Sequence, residues 1–264
     1  MLCWAAYTGA PVFLDEVIRH TGHGLARQAD RAGRDPLPRA ADGFGLAWYG
    51  AKPLPGRFRD TRPDWADPNL QSLMARVQSD LVLACVATAP SLPQHRTNCH
   101  PFAAGQWSFM LNGQVGDGEG FRPDADRLIP AAFAAQRQGT TGSEALFLMA
   151  LAEGLDDDPR RALEHAVARI MLLARARGEA PRLRMTAALS DGQQLYAVRY
   201  ATEGIAPPLC HQWSARVGGR AIRSGPVASD HAGWDDVPEA SFCTFDGRDL
   251  RIEPFLPYGL AAAA

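Results

Sequence analysis

No stretch of this 264-residue chain is apolar for long enough to span a bilayer. The N-terminus lacks the basic stretch and apolar core of a secretory leader. An excess of charge of one sign is missing too: 27 basic residues stand against 29 acidic ones, a net charge of −2. That balance leaves no electrostatic footprint for nucleic acid or anionic membrane, and neither is expected as a partner. Lysine is scarce beside arginine and alanine is plentiful, which reflects genome composition rather than chemistry. The cysteines (Cys3, Cys85, Cys99, Cys210, Cys243) are odd in number and contain no Cys-x-x-Cys. Reduced thiols in a cytoplasmic protein fit best. Cys99-His100 and Cys210-His211 are adjacent pairs without metal-ligand spacing. The one conceivable zinc set would be Cys3, Cys85, Cys99 and His100. Gly43-x-Gly45 is a weak nucleotide signal, and no glycine-rich phosphate loop follows a strand. No cofactor and no metal are expected.

What is present is an ordinary globular composition, 46% hydrophobic and 21% charged, with enough chain for one large domain or two small ones. Residues 2–7 read as a short strand turned by Thr8-Gly9-Ala10-Pro11, followed by a helix over 13–19 and a loop over 20–41. Asp42 to Tyr49 is a strand whose interior glycines signal a close backbone approach. Arg57 to Asp60 is a further strand. Asp67-Pro68 opens a helix to about Val77, Asp as N-cap and Pro at the first helical position. The continuous apolar run 81–89 reads as a strand buried on both faces. A loop over 90–105, a helix over 125–136, a core helix over 145–151 and a helix opened by Asp158-Pro159 follow. The last third turns to strands: a hairpin of 183–189 and 194–200 about Asp191-Gly192, then 220–229 and 241–253. Strands, then helices, then strands suit an α+β fold with helices covering sheets.

The stretch from Arg96 to Val115 organises the rest. Trp107, Phe109 and Leu111 alternate with Ser108 and Met110, and Asn112-Gly113 then breaks the run. Taken alone, that dipeptide is a hairpin turn. An Asn side chain and a Gly N–H at a strand end can also hold a developing oxyanion.

Several motifs in order resemble the class II glutamine amidotransferases, members of the N-terminal-nucleophile hydrolases. They are Met1 to Tyr7, Asp42-Gly-Phe-Gly with Trp48-Tyr49, the strand 81–89, Arg96-Thr-Asn-Cys-His-Pro-Phe102, Asn112-Gly113-Gln114 and Gly139-Thr-Thr-Gly-Ser-Glu-Ala-Leu-Phe147. Ser224-Gly-Pro-Val-Ala-Ser229 and Gly233-Trp-Asp-Asp-Val-Pro238 match as well. The resemblance covers nearly the whole chain and implies a four-layer αββα sandwich, with residues 1–264 as one domain. It implies hydrolysis of the glutamine amide, with ammonia delivered to an acceptor. In that chemistry an N-terminal cysteine attacks, its own α-amine is the base, and the Asn-Gly pair (here Asn112 and Gly113) stabilises the oxyanion. An Arg on the strand matching 81–89 clamps the substrate carboxylate, and an Asp before the core helix holds its amine.

The chain departs from that pattern at nearly every working position. Leu2 stands at the nucleophile's place, with Cys3 one residue on. Cys85-Val86-Ala87 replaces His-Val-Arg, so the carboxylate clamp is Ala87. Thr140-Thr141-Gly142 replaces Thr-Thr-Asp, and Leu111 replaces the His before Asn112. Strand alternation should turn Cys3 to the opposite face from position 2, and as a nucleophile it would need Met1 and Leu2 removed. The expected site is therefore a degenerate pocket of Cys85, Ala87, His100 and Gly142, with leucines at 2 and 111 bulky enough to fill it. The leading expectation is a pseudoenzyme acting as a binding or partner subunit, of a synthase or another biosynthetic protein. The alternatives are a glutaminase using processed Cys3, and a small-molecule enzyme in a remodelled pocket that uses Cys85.

Overall fold

The computed structural model describes residues 2–20, 43–61, 67–87, 95–116, 121–225 and 233–257; the expected loop over 20–41 lies almost wholly outside them. β1 (Leu2–Phe13) is the middle of a seven-stranded antiparallel sheet. On one side it pairs with β4 (Gln78–Ala87), which continues through β2 (Gly43–Trp48) to the edge strand β3 (Gly56–Asp60). On the other side it pairs with β10 (Gly219–Ser224), then β9 (Leu209–Ser214) and β11 (Asp235–Asp236). The second sheet has the order β13 (Asp249–Pro254), β12 (Ser241–Asp246), β8 (Leu195–Ala201), β7 (Leu183–Ser190), β6 (Trp107–Val115) and β5 (Phe102–Ala104).

Three apolar layers separate cleanly by strand parity. Cys3, Ala5 and Tyr7 of β1 pack with Phe44, Leu46 and Val86 against α1 (Leu14–His20) and α2 (Pro68–Arg76). Trp4 and Ala6 pack with Leu83, Cys85, Met110, Ala188 and Phe245 between the two sheets. The largest layer lies beyond the second sheet, where Phe109, Leu111 and Met185 meet the helices α3 (Phe121–Arg127), α5 (Gly142–Ala152) and α6 (Pro159–Ala176). Phe109 stacks on Phe147 of α5 at 5.3 Å between ring centroids. The expected αββα arrangement is the one observed. Asp67 and Asp158 cap α2 and α6, their side chains accepting from Asn69 N and Arg161 N, and a proline follows each.

Four local expectations are corrected. Thr8 to Pro11 does not turn the chain: β1 runs on to Phe13, with its pairing to β4 slipping between Thr8 and Val12. Gly9 is there for close approach, since a Cβ on it would lie 2.3 Å from Gly219 Cα. Asn112-Gly113 is likewise no hairpin; β6 continues to Val115, and these residues pair with Thr186 and Met185. The glycine is demanded by the neighbouring strand: at φ +139°, a Cβ on Gly113 would stand 1.8 Å from the Arg184 carbonyl oxygen. The helix expected over 125–136 splits into α3 and a short α4 (Ala131–Ala134), because Pro130 cannot continue a helix and instead starts one. The loop expected over 90–105 holds a 3-10 turn at Arg96–Asn98 and the strand β5.

Gly113→Ala should therefore lower unfolding free energy by about 2 kcal/mol or more, as overpacking and a disfavoured φ combine. Gly50→Ala, where an added Cβ meets nothing within 4 Å, should stay within about 0.5 kcal/mol of the parent in the same denaturant titration.

Candidate functional site

Strand parity at the start of β1 decides what faces the space between the sheets. Leu2 lies opposite Ala87 and Trp4 opposite Cys85 on β4, and these side chains point toward the second sheet, where the Trp4 indole N–H donates to the Thr186 carbonyl at 3.0 Å. Cys3 points the other way, into the layer under α1 and α2, and is 6% exposed. Burial pushes its thiol up to about 11, against a smaller pull from the N-terminal ammonium. Little of it is thiolate at neutral pH. The reversal of face expected for Cys3 is thus seen.

Cys85 does face the inter-sheet layer. It is buried, its Sγ–H donates to the His100 carbonyl at 3.1 Å, and burial holds its pKa well above the ordinary thiol value. Cys99 is raised as well, again by burial first. Cys3 and Cys85 point to opposite faces of the sheet, which separates the four residues of the conceivable zinc set. Among the described residues, no three His, Cys, Asp or Glu side chains gather as metal ligands.

The segment from His95 to Pro101 is laid across the glycines of β2. An added Cβ on Gly45 would stand 1.8 Å from the His100 carbonyl oxygen, and one on Gly43 would stand 3.1 Å from Cys99 Sγ. This is the close backbone approach that the interior glycines foretell. The segment is fixed from three sides. Arg59 of β3 donates to the carbonyls of Thr97 (3.3 Å) and Cys99 (3.1 Å) and to Gln138 Oε1 (3.0 Å). Arg96 pairs with Asp60 at 2.8 Å. Asn98 accepts from Thr140 N at 2.8 Å. His100 is 5% exposed, packs edge-on against Phe102, and keeps a buried Nε2 without a hydrogen-bond partner. Burial first, and then Arg59, lower its pKa to about 3, so the ring is neutral at physiological pH.

The Asn98–Thr140 contact leads to the N-terminus of α5. Thr141 caps it by accepting from Glu144 N at 3.2 Å. In a simple capping box the Glu would reach back to the cap residue. Here its carboxylate reaches further, to the N–H groups of Gln138 and Gly139, both at 2.8 Å, and is met by Arg137. Gly142 is the first residue of α5, where an added Cβ would meet the Val115 carbonyl oxygen at 3.2 Å.

Asn112 is buried on the inter-sheet face of β6, with its Nδ2 donating to Ser224 Oγ at 3.1 Å. Ser224 is also hydrogen-bonded to Thr186 Oγ1 and lies opposite Trp4 in the ladder. Gly113 is exposed. Leu111 corrects an expectation: it points into the helix-covered layer, so it does not fill the space between the sheets. The structure therefore gathers Leu2, Cys85, Ala87 and His100 around the β1–β4 ladder. Asn112 is tied across the sheets to the neighbouring strand β10, Gly142 sits beside the end of β6, and Cys3 is excluded. Ser224, Thr186, Arg59, Asn98 and Glu144 were not singled out from the sequence. Ser224 lies within a quoted motif, and parity with Trp4 was the signal that could have found it.

Residues 22–206 match the family described as Glutamine amidotransferases class-II. The chain is 32% identical over 165 residues to a probable glutamine amidotransferase, DUG3, of Saccharomyces cerevisiae, a match covering 57% of this chain and 45% of the yeast protein. The chain thus spans under half the length of that curated relative. A solved glutamine aminotransferase class-II domain protein from Silicibacter pomeroyi is 41% identical, with a TM-score of 0.77 over 97% of this chain and 100% of that one. The glutamine phosphoribosylpyrophosphate amidotransferase of Bacillus subtilis, at 10% identity, shares the fold alone, with a TM-score of 0.66 over 96% of this chain and 49% of that one.

A histidine whose folded pKa lies below its unfolded value adds stability above the unfolded value, and that stability is lost as pH falls toward the folded one. For His100 the window runs from 6.5 down to about 3. Between about pH 6 and about pH 4, the parent should lose up to about 1.4 kcal/mol per pH unit relative to His100→Gln. Denaturant titrations of both proteins across that range read the difference. Parallel curves would show that the ring does not resist protonation.

Proposed function

The chain belongs to the class II glutamine amidotransferases, and from that premise we propose that it keeps their fold without their glutaminase reaction, serving as a binding or partner subunit. The observation that carries the reading is the direction of the first side chains of β1. The family's reaction needs a thiol facing between the sheets and a free α-amine on the same residue. Leu2 faces that way instead, beside Ala87, while Cys3 is buried under the helices with a raised pKa. Trimming the chain to Cys3 would supply the amine but leave the sulfur on the wrong face of the sheet.

Two further features support the same reading. Ala87 and Gly142 carry no group able to hold an amino acid's carboxylate or ammonium, and loss of one partner of a buried charge pair commonly costs 2–5 kcal/mol of binding. The Asn112 amide, which the resemblance gives to an oxyanion, is occupied by Ser224. The partner we envisage is a synthase or another biosynthetic subunit, and the inter-sheet site remains a place for a small ligand. Five free, buried cysteines fit a cytoplasmic protein.

Incubated with glutamine, the purified protein should release no glutamate above the buffer rate, and Cys3→Ala should change nothing. A turnover abolished by Cys3→Ala would overturn the reading. Leu2→Cys alone should restore little. Adding Ala87→Arg and Gly142→Asp should restore glutamine binding first and hydrolysis second, although at Gly142 the Val115 backbone must yield by a few tenths of an ångström. Full activity from Leu2→Cys alone would refute the assigned importance of the two clamps.

A further inference from the structure

Arg57 and Arg59 project from the same face of β3, opposite Ala47 and Gly45 of β2, the face turned toward the second sheet. Arg59 spends its donors on Thr97, Cys99 and Gln138. Arg57 spends none: it is partly buried, yet among the described residues its guanidinium makes no hydrogen bond and no ion pair. Burial first, then repulsion from Arg59, lower its pKa to about 10, while Glu144 draws it back up. Part of the water around this cation is displaced, and among the described residues no hydrogen bond or ion pair takes its place.

A second group, over the neighbouring glycine of β2, also lacks a hydrogen-bond partner. His100 is laid over Gly45, the ladder neighbour of Arg59, and its Nε2 is buried without a partner. The charges around this edge do not cancel. Arg137 is bound by both Asp126 and Glu144, which leaves that trio one negative charge. Arg96 and Asp60 neutralise each other. Among the described residues, Arg57 and Arg59 then leave these groups one positive charge in excess. A single excess charge suits a monoanion, and a planar guanidinium fork suits a carboxylate.

We propose that the Arg57 guanidinium, on the same face of β3 as Arg59 and two ladder positions from the glycine that His100 covers, binds the carboxylate of a small monoanionic ligand at the β3 edge of the inter-sheet layer. This site is distinct from position 87, and it stands whether or not the chain hydrolyses glutamine, because it is read by binding and not by turnover.

The test titrates the full chain with N-acetylglycine, a monocarboxylate, and with N-acetylglycinamide, its uncharged counterpart, following the Arg57 Nε–H and His100 ring signals by NMR. The carboxylate should shift both signals saturably and the amide should shift neither. Arg57→Gln should weaken carboxylate binding about tenfold or more, the loss of a charge-assisted bidentate contact. Its Tm should be unchanged or higher, since no protein contact is lost. Arg57→Lys should retain part of the affinity. Equal responses to acid and amide, the absence of any saturable shift, or parental affinity in Arg57→Gln would each overturn the proposal.

Discussion

A side chain on a β-strand has only two directions open to it, and in β1 that constraint governs everything else in the molecule. β1 is the middle strand of its sheet, so both its edges are paired, and its faces are covered by helices on one side and by the second sheet on the other. Displacing cysteine by one position does not move the thiol along the strand by a small step. It moves it through the sheet, from the inter-sheet face to the underside of α1 and α2. Leu2 inherits the place, and Trp4 next to it is locked by its bond to Thr186. The register cannot slip to compensate, because β4 and β10 hold β1 from both sides.

Beside this fixed centre one segment lies directly on β2. Residues 95–101 lie on Gly43 and Gly45 so closely that no larger residue would fit at position 45. From there Arg59 and Asn98 join the edge of the first sheet to the loop before α5. The Arg59 bonds to the Thr97 and Cys99 carbonyls and the Asn98 bond to Thr140 N satisfy backbone groups, and they fix the shape of the segment. His100 Nε2 is left buried without a hydrogen-bond partner.

The sequence made the layers legible because they follow from periodicity. The alternation in β6, the all-round apolar character of α5 and the Asp-Pro starts of α2 and α6 are local signals with local causes. The turns at Gly9 and Gly113 were misread because glycine carries two messages: it permits positive φ and it removes a Cβ. Which message applies depends on a strand more than seventy residues away in the chain, Gly219 for one and Arg184 for the other. At the candidate site the same division holds. The facing of Cys3 and the glycine approach in β2 were readable. The occupation of Asn112 by Ser224 was not, since it comes from long-range register.

The ends of the two sheets have a consequence for how this protein behaves in a crowded solution. An unpaired strand edge invites another chain to add to it. Here β11 is two residues long and both are aspartates, and β5 is only three residues long. β3 carries Arg57, Arg59 and Asp60, and β13 carries Asp249, Arg251 and Glu253. Shortness guards two of the four borders and charge guards the other two. The thirteen strands among the described residues thereby meet solvent at edges that are short or charged, which discourages another chain from adding to them.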